Sequence, residues 1–270
     1  MPVWEAVIYG VVQGLAEFLP ISSSGHLALL PWLFGWEDPG LAFDVALHWG
    51  TLAAVLLIFW KDWIRLIWAG LTGRGTPVDR RLFWGLVISS FPAAIIGKLL
   101  DKWAEENLRN PLLIAGTMAT LGIILWAADR IGRKTETLEA MTIPRAFSIG
   151  VAQAAALVPG VSRSGATISL GLLENFTRDD IARFSFLMST PIIFGAGLVK
   201  LPKMLHEMRA GEGEVTPLAL AAGFLAAAVV GAAVIRWMLH YLRRHTYAVF
   251  AWYRLAVAAL VVMLWLSGKR

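Results

Sequence analysis

Val11-Val12-Gln13-Gly14-Leu15-Ala16-Glu17-Phe18-Leu19-Pro20-Ile21-Ser22-Ser23-Ser24-Gly25 has a gapless counterpart in the second half of the chain, Val151-Ala152-Gln153-Ala154-Ala155-Ala156-Leu157-Val158-Pro159-Gly160-Val161-Ser162-Arg163-Ser164-Gly165. Each copy is apolar with a single early Gln, runs into a proline, and ends in Ser-x-Ser-Gly. In each, a helix-length segment meets a Pro/Gly/Ser break and a second short apolar segment follows, over residues 3–36 and 143–173. Such breaks interrupt a helix. The pattern predicts two re-entrant hairpins, tolerated at membrane depth only where the irregular backbone is buried in protein or lines a cavity.

Six further segments read as full spans, at about 43–60, 82–100, 111–128, 181–201, 217–238 and 247–266. Of the 270 residues, 57% are hydrophobic and only 16% charged, against roughly 25% charged in a soluble domain. Many of the 13 Trp residues sit near span ends, as in an interfacial aromatic belt. The predicted class is an all-α polytopic membrane protein. Each half, 1–140 and 141–270, is expected to hold one hairpin and three spans. A hairpin crosses nothing and three is odd, so the second half is expected upside down relative to the first, an inverted repeat.

Charge predicts the orientation. Lys61, Arg65, Arg74, Arg80 and Arg81 precede the second span, Arg130, Arg133, Lys134 and Arg145 follow the third, and Arg243 and Arg244 follow the fifth. All fall on one side, expected to be cytoplasmic. The segment from Met1 to Ala42 holds no Lys or Arg and falls on the other side, although Lys102, Arg109, Lys203 and Arg209 also lie there. The net charge of +5 is thus explained by membrane orientation, and no nucleic-acid partner is expected. With no cysteine, disulfides and thiolate metal sites are excluded. Met1-Pro2-Val3-Trp4-Glu5 lacks the basic start of a cleaved signal peptide. Small faces at Gly195-Ala196-Gly197 and Gly223 suit helix packing, within one chain or across a homodimer.

The two breaks concentrate the chemistry. The first offers Glu17, Ser22, Ser23, Ser24, Gly25 and His26; the second offers Ser162, Arg163, Ser164, Gly165 and Thr167. A Glu or Arg at membrane depth costs roughly 2.5–3.5 kcal/mol on insertion scales, so it persists where it pairs or works. Each break also ends at a helix start, where free N–H groups and the helix dipole bind anions. Two such ends with Arg163 between them suit a phosphate group. Ser23 or a neighbouring hydroxyl is a candidate nucleophile, and His26, one helical turn on, a candidate proton handler. Arg163 is a candidate clamp for phosphoryl oxygens. Glu17, with Gln13 one turn earlier on the same face, offers oxygen ligands for a divalent cation, Mg²⁺ or Ca²⁺. The bland reading of each serine is a helix cap, and of Glu17 with Arg163 a structural ion pair. His48 reads as a hydrogen-bonded structural histidine, and Arg254 as a partner of Asp44 or a snorkelling cation.

At these residues the chain resembles the bacitracin-resistance undecaprenyl-pyrophosphate phosphatase family. Gln13 to His26 is similar to that family's (Glu/Gln)-x-x-x-Glu element followed by Pro-x-Ser-Ser-x-Gly-His, and Pro159 to Thr167 is similar to its Pro-Gly-x-Ser-Arg-Ser-Gly-Ala-Thr. Weaker similarity runs through Phe184-Ser185-Phe186-Leu187 and Phe250-Ala251-Trp252-Tyr253-Arg254. The resemblance implies a bacterial inner-membrane enzyme that hydrolyses undecaprenyl pyrophosphate to the monophosphate carrier lipid of peptidoglycan synthesis. It also implies dependence on a divalent metal and a site open to the periplasm. By the same resemblance Ser23 is the nucleophile, His26 its partner, Glu17 the metal-linked acid and Arg163 the phosphate-binding arginine. Ser22, Ser24, Ser162, Ser164 and Thr167 are the surrounding hydroxyls. Gln13 stands where some members have Glu, a neutral ligand at that position. A lipid flippase or secondary transporter is the competing expectation, because inverted repeats with broken helices are typical of transporters; a Ser/His/Glu/Arg cluster suits phosphoryl transfer better.

Overall fold

The computed structural model describes residues 1–210 and 215–269, without side chains at 101, 102, 105, 106, 203 and 205–210. Lys102, Lys203 and Arg209, expected in outer loops, therefore lie outside the described side chains. Among the described residues there are ten α-helices: α1 (Val3–Phe18), α2 (Ser23–Phe34), α3 (Gly40–Thr72), α4 (Pro77–Asn107), α5 (Pro111–Ile131), α6 (Ile143–Ala154), α7 (Arg163–Leu173), α8 (Arg178–Ala210), α9 (Pro217–Tyr241) and α10 (Ala248–Leu266).

Local sequence sets the helix starts. Thr76, Asn110, Thr142 and Thr216 each accept a backbone N–H of the first turn through the side-chain oxygen, and each is closely followed by a proline. Such a proline has no N–H to leave orphaned in the first turn. Gly35 and Gly73 close α2 and α3 in the left-handed conformation at φ 69°, which glycine adopts without penalty. The helix α3 outruns its expected span. It bends at Phe59 and continues to Thr72, so Lys61 and Arg65 are helical rather than loop residues. Leu66 and Ala69 are buried there, and Asp62 pairs with Arg183 at 2.7 Å, tying the extension to α8.

Six helices, α3, α4, α5, α8, α9 and α10, are long and apolar enough to cross a membrane. Their outer faces keep large apolar side chains exposed, Leu57 at 66%, Val199 at 79% and Val229 at 69%. Exposed apolar surface of this kind belongs against lipid rather than water. These features define a polytopic membrane protein.

Close helix contacts depend on small residues. A Cβ on Gly10 would lie 2.4 Å from the Gly223 carbonyl oxygen, and one on Gly14 2.9 Å from that of Ala227, so α1 lies directly against α9. A Cβ on Gly150 would lie 2.3 Å from the Ser89 carbonyl oxygen, so α6 lies equally close to α4. The helix α5 packs along α10, and α3 along α8 and α9. The Gly223 face is thus used inside the chain, also against Phe43, whereas the Cβ side of Gly195 is open.

The pairs α1–α2 and α6–α7 are helical hairpins whose open ends close on themselves. Trp36 meets Trp4 at 5.5 Å and Phe34 at 4.9 Å between ring centroids. In the second pair Ser148 Oγ donates to Glu174 Oε1 at 2.5 Å, and Arg145 lies over the Phe176 ring. The closed ends, residues 19–22 and 158–162, meet each other, Ser164 Oγ donating to the Leu19 carbonyl. A Cβ on Gly25 would lie 3.2 Å from the Gly160 Cα.

Candidate active site

The two breaks turn in the same way. Ser22 and Ser162 take φ of 77° and 73°, a conformation uncommon outside glycine and often found at functional sites. Each then caps the helix it starts. Ser22 Oγ accepts from Gly25 N at 3.2 Å and Ser162 Oγ from Gly165 N at 3.1 Å. Two helix N-termini, each with a partial positive charge, are thereby brought to one place.

Between them Glu17 is the hub. It is 7% exposed. Its Oε1 pairs with Arg163 Nη2 at 3.1 Å, and its Oε2 accepts from Ser23 Oγ at 2.7 Å and from Gln13 Nε2 at 3.2 Å. Arg163 is steadied on its other side by the Ser185 carbonyl, which accepts from Nη1 at 2.6 Å. Its Nε is buried with no hydrogen-bond partner, a donor available to a bound anion. Gln13 Oε1 is likewise buried and unpartnered.

The other expected hydroxyls divide. Ser24 lines a cavity of about 320 Å³ whose other walls include Tyr9, Trp32, Asp44, His48 and Arg109. Ser164 donates instead to the Leu19 carbonyl at 3.1 Å, linking the second break to the first. Thr167 bonds the Arg163 carbonyl at 2.9 Å and Ser185 Oγ at 2.8 Å, so it braces the arginine from below. His26 turns away from Ser23. Its Nδ1 donates to the Ser22 carbonyl at 2.7 Å, so its Nε2 accepts from Tyr253 OH at 2.8 Å, with the two rings stacked.

Three participants were not legible as such. His48 holds the Asp44 carbonyl through Nδ1 at 2.8 Å, as a structural histidine would, but its Nε2 lies 3.9 Å from Glu17 Oε2. Ser185, inside the weak match at Phe184–Leu187, touches both Arg163 and Thr167. Arg254 neither pairs with Asp44 nor snorkels; it is wholly buried. Its guanidinium donates to the carbonyls of Met118 at 2.9 Å, Pro20 at 3.1 Å, Gly160 at 2.7 Å, Val161 at 3.2 Å and Thr117 at 3.5 Å. One cation therefore joins both breaks to α5. A charge at this depth is retained because it meets carbonyls on every side, those of Pro20, Gly160 and Val161 lying within the breaks themselves.

Donors from two helix N-termini, an arginine with an unpartnered N–H, and a hydroxyl held by a carboxylate are the groups that suit an anion, and they lie inside a polytopic membrane protein. Over residues 6–260 the chain matches the family model described as Bacitracin resistance protein BacA, and it belongs to that family. It is 52% identical over 268 residues to the undecaprenyl-diphosphatase of Moorella thermoacetica, which covers 98% of this chain and 99% of that one. It is also 46% identical to the undecaprenyl-diphosphatase of Desulforudis audaxviator, over 97% of each chain. The undecaprenyl-diphosphatase of Pelotomaculum thermopropionicum is 45% identical, over 98% of this chain and 97% of its own.

Proposed function

We propose that the chain is an undecaprenyl-diphosphatase of the bacterial inner membrane. It hydrolyses undecaprenyl pyrophosphate to undecaprenyl phosphate and inorganic phosphate, recycling the carrier lipid for peptidoglycan synthesis and conferring bacitracin resistance. The names of relatives matched end to end support the reaction. The observation that carries the mechanism is Glu17 joining Arg163 to Ser23.

Ser23 is the nucleophile. Its oxygen forms a bond to the terminal phosphorus while its proton passes to Glu17 Oε2, and the bridging P–O bond breaks to release the lipid monophosphate. Arg163, through its free Nε, and the N-termini of α2 and α7 hold the phosphoryl oxygens. Water then cleaves the phosphoserine, the proton on Glu17 returning to Ser23. His26 is occupied by Ser22 and Tyr253, so its part is to hold the break in shape. Glu17 would hold Mg²⁺ or Ca²⁺ together with Gln13, whose amide turns Nε2 to Glu17 and would present its oxygen there after a half-turn. When bound there, the cation neutralises charge on the pyrophosphate.

The same reading makes residues 1–140 and 141–270 an inverted repeat with re-entrant hairpins. Three pairs at equivalent positions in the two matched stretches and the helices that lead into them support it. They are Gly10 and Gly150 at the tight crossings, Gln13 and Gln153 with unpartnered Oε1, and Ser22 and Ser162 in matching turns. Two of the Arg- and Lys-rich segments meet, Arg81 at the start of α4 donating to the Glu139 carbonyl. The cavity beside Ser24 instead reaches Asp38 and Arg109, which supports a site open to the periplasm. A homodimer would dock on the open Gly195 face; light scattering in detergent tests it.

The decisive assay is phosphate release from undecaprenyl pyrophosphate by protein purified in detergent. Release is expected from the wild type and lost with EDTA and in folded Ser23→Ala and Arg163→Ala. A folded, metal-loaded wild type that moves the lipid without hydrolysing it would establish the transporter reading instead.

A further inference from the structure

We infer that Tyr253 is a positioning residue for the nucleophile: acting through His26, its hydroxyl holds the peptide between Ser22 and Ser23 in the attitude that aims Ser23 Oγ at Glu17. The inference rests on the reading of Ser23 as the nucleophile. Tyr253 lies in α10 and Ser23 at the start of α2, so the tie is between the site and a helix far away in the chain.

The relay runs through four groups. Tyr253 OH donates to His26 Nε2 at 2.8 Å, and the two rings stack with their planes 12° apart. With Nε2 accepting, the imidazole proton sits on Nδ1, which donates to the Ser22 carbonyl at 2.7 Å. The His26 backbone N–H reaches the same carbonyl at 3.2 Å. A peptide group is planar, so holding that carbonyl also fixes the Ser23 nitrogen. It thereby fixes the base of the side chain whose Oγ meets Glu17 at 2.7 Å.

The second break is an internal control. Ser162 takes the same left-handed turn at φ 73°, caps Gly165 and accepts from the Ala166 N–H at 2.9 Å. Ala166 stands where the first break has His26, so no ring is there for a tyrosine to hold. The turn therefore forms without the pair. The pair occurs only in the half that carries Ser23. At the equivalent position Arg163 is long enough to be braced by its own contacts with Glu17 and Ser185. A serine oxygen sits one rotatable bond from the backbone, so its aim is set by the peptide beneath it.

The test is Tyr253→Phe in intact protein in detergent, which deletes one oxygen and keeps the ring that stacks on His26. The kcat for phosphate release from undecaprenyl pyrophosphate is expected to fall about 10- to 100-fold, the cost of a small misplacement of a reacting group. KM and Tm are expected to stay at the wild-type values. His26→Ala, which gives the first break the residue of the second, is expected to fold and to lose kcat at least as far. Adding Tyr253→Phe to it is expected to cost nothing more, because the relay is already cut. In spectra of ¹⁵N-histidine protein the His26 signals are those missing from His26→Ala. They are expected to show a proton on Nδ1 alone in the wild type and a shifted Nε2 in Tyr253→Phe. Should Tyr253→Phe fail to fold, the wild-type spectrum decides, and a proton on Nε2 would overturn the relay. A wild-type kcat in folded Tyr253→Phe, or a loss carried by KM or Tm instead, would overturn the inference while leaving the phosphatase reading intact. A wild type that releases no phosphate would overturn both.

Discussion

Arg163 shows how much a single side chain is asked to do. One edge of its guanidinium meets Glu17 and the other the Ser185 carbonyl, while Nε points to neither. A lysine has one point of charge and cannot make both contacts and still face a substrate. Arg163→Lys is therefore expected to lose phosphate release about 100- to 1000-fold, nearly as much as Arg163→Ala, the range typical of removing one oxyanion donor; steady-state assays at saturating lipid measure it. Glu17, Ser23 and Arg163 were legible in the sequence because a charge or a serine run inside an apolar helix has few explanations. Arg254 was not. Its partners are all backbone carbonyls, and a carbonyl left free by a broken helix carries no mark in the sequence. His48 was read correctly for its Nδ1 and missed for its Nε2, because its neighbour Glu17 comes from a different helix.

Among the elements, the hairpins are held at both ends. Where α1 crosses α9, the Gly10 position faces backbone rather than a side chain that could move. Gly10→Ala is expected to lower stability by about 1–3 kcal/mol through overpacking, seen as a lower Tm in detergent. At the mouth of the second hairpin, burial raises Glu174 above the ordinary carboxylate range, against the opposing pull of Ser148 and Arg145. A carboxyl raised in the folded state favours folding when protonated, and that contribution is lost as pH rises through its folded value. Glu174→Gln is thus expected to melt higher than the wild type at pH 7, with the gap closing as pH falls through the raised folded value and gone below about 4.3, the unfolded value. The hairpins were legible as apolar segments either side of a Pro/Gly/Ser break. The extension of α3 was not, because Lys61, Asp62 and Arg65 look like a loop until Asp62 is seen to pair with Arg183 and Arg65 with Asp79.

The whole molecule is a set of helices pressed around a polar centre, with a cavity at one end and basic loops at the other. Because the chain has no cysteine, every introduced one is unique. Cys placed at Gly35 is expected to react with a membrane-impermeant maleimide added outside intact cells. Cys at Gly73 is expected to react only after the membrane is opened. Both glycines have open space around them, and the reverse pattern would overturn the proposed orientation. That the chain holds two broken segments was legible from the matched stretches that begin at Val11 and Val151, whereas the way α1 reaches across to α9 was not, since nothing local records it. Arg254 gives this architecture an order in time. Pro20, Met118 and Gly160 are synthesised well before it, and their carbonyls meet their cation only once α10 has been made. A chain that stops short of α10 carries both signatures in full and keeps the Glu17–Arg163 pair and the Ser164 bond to Leu19, but it lacks the cation that gathers the carbonyls of both breaks onto α5.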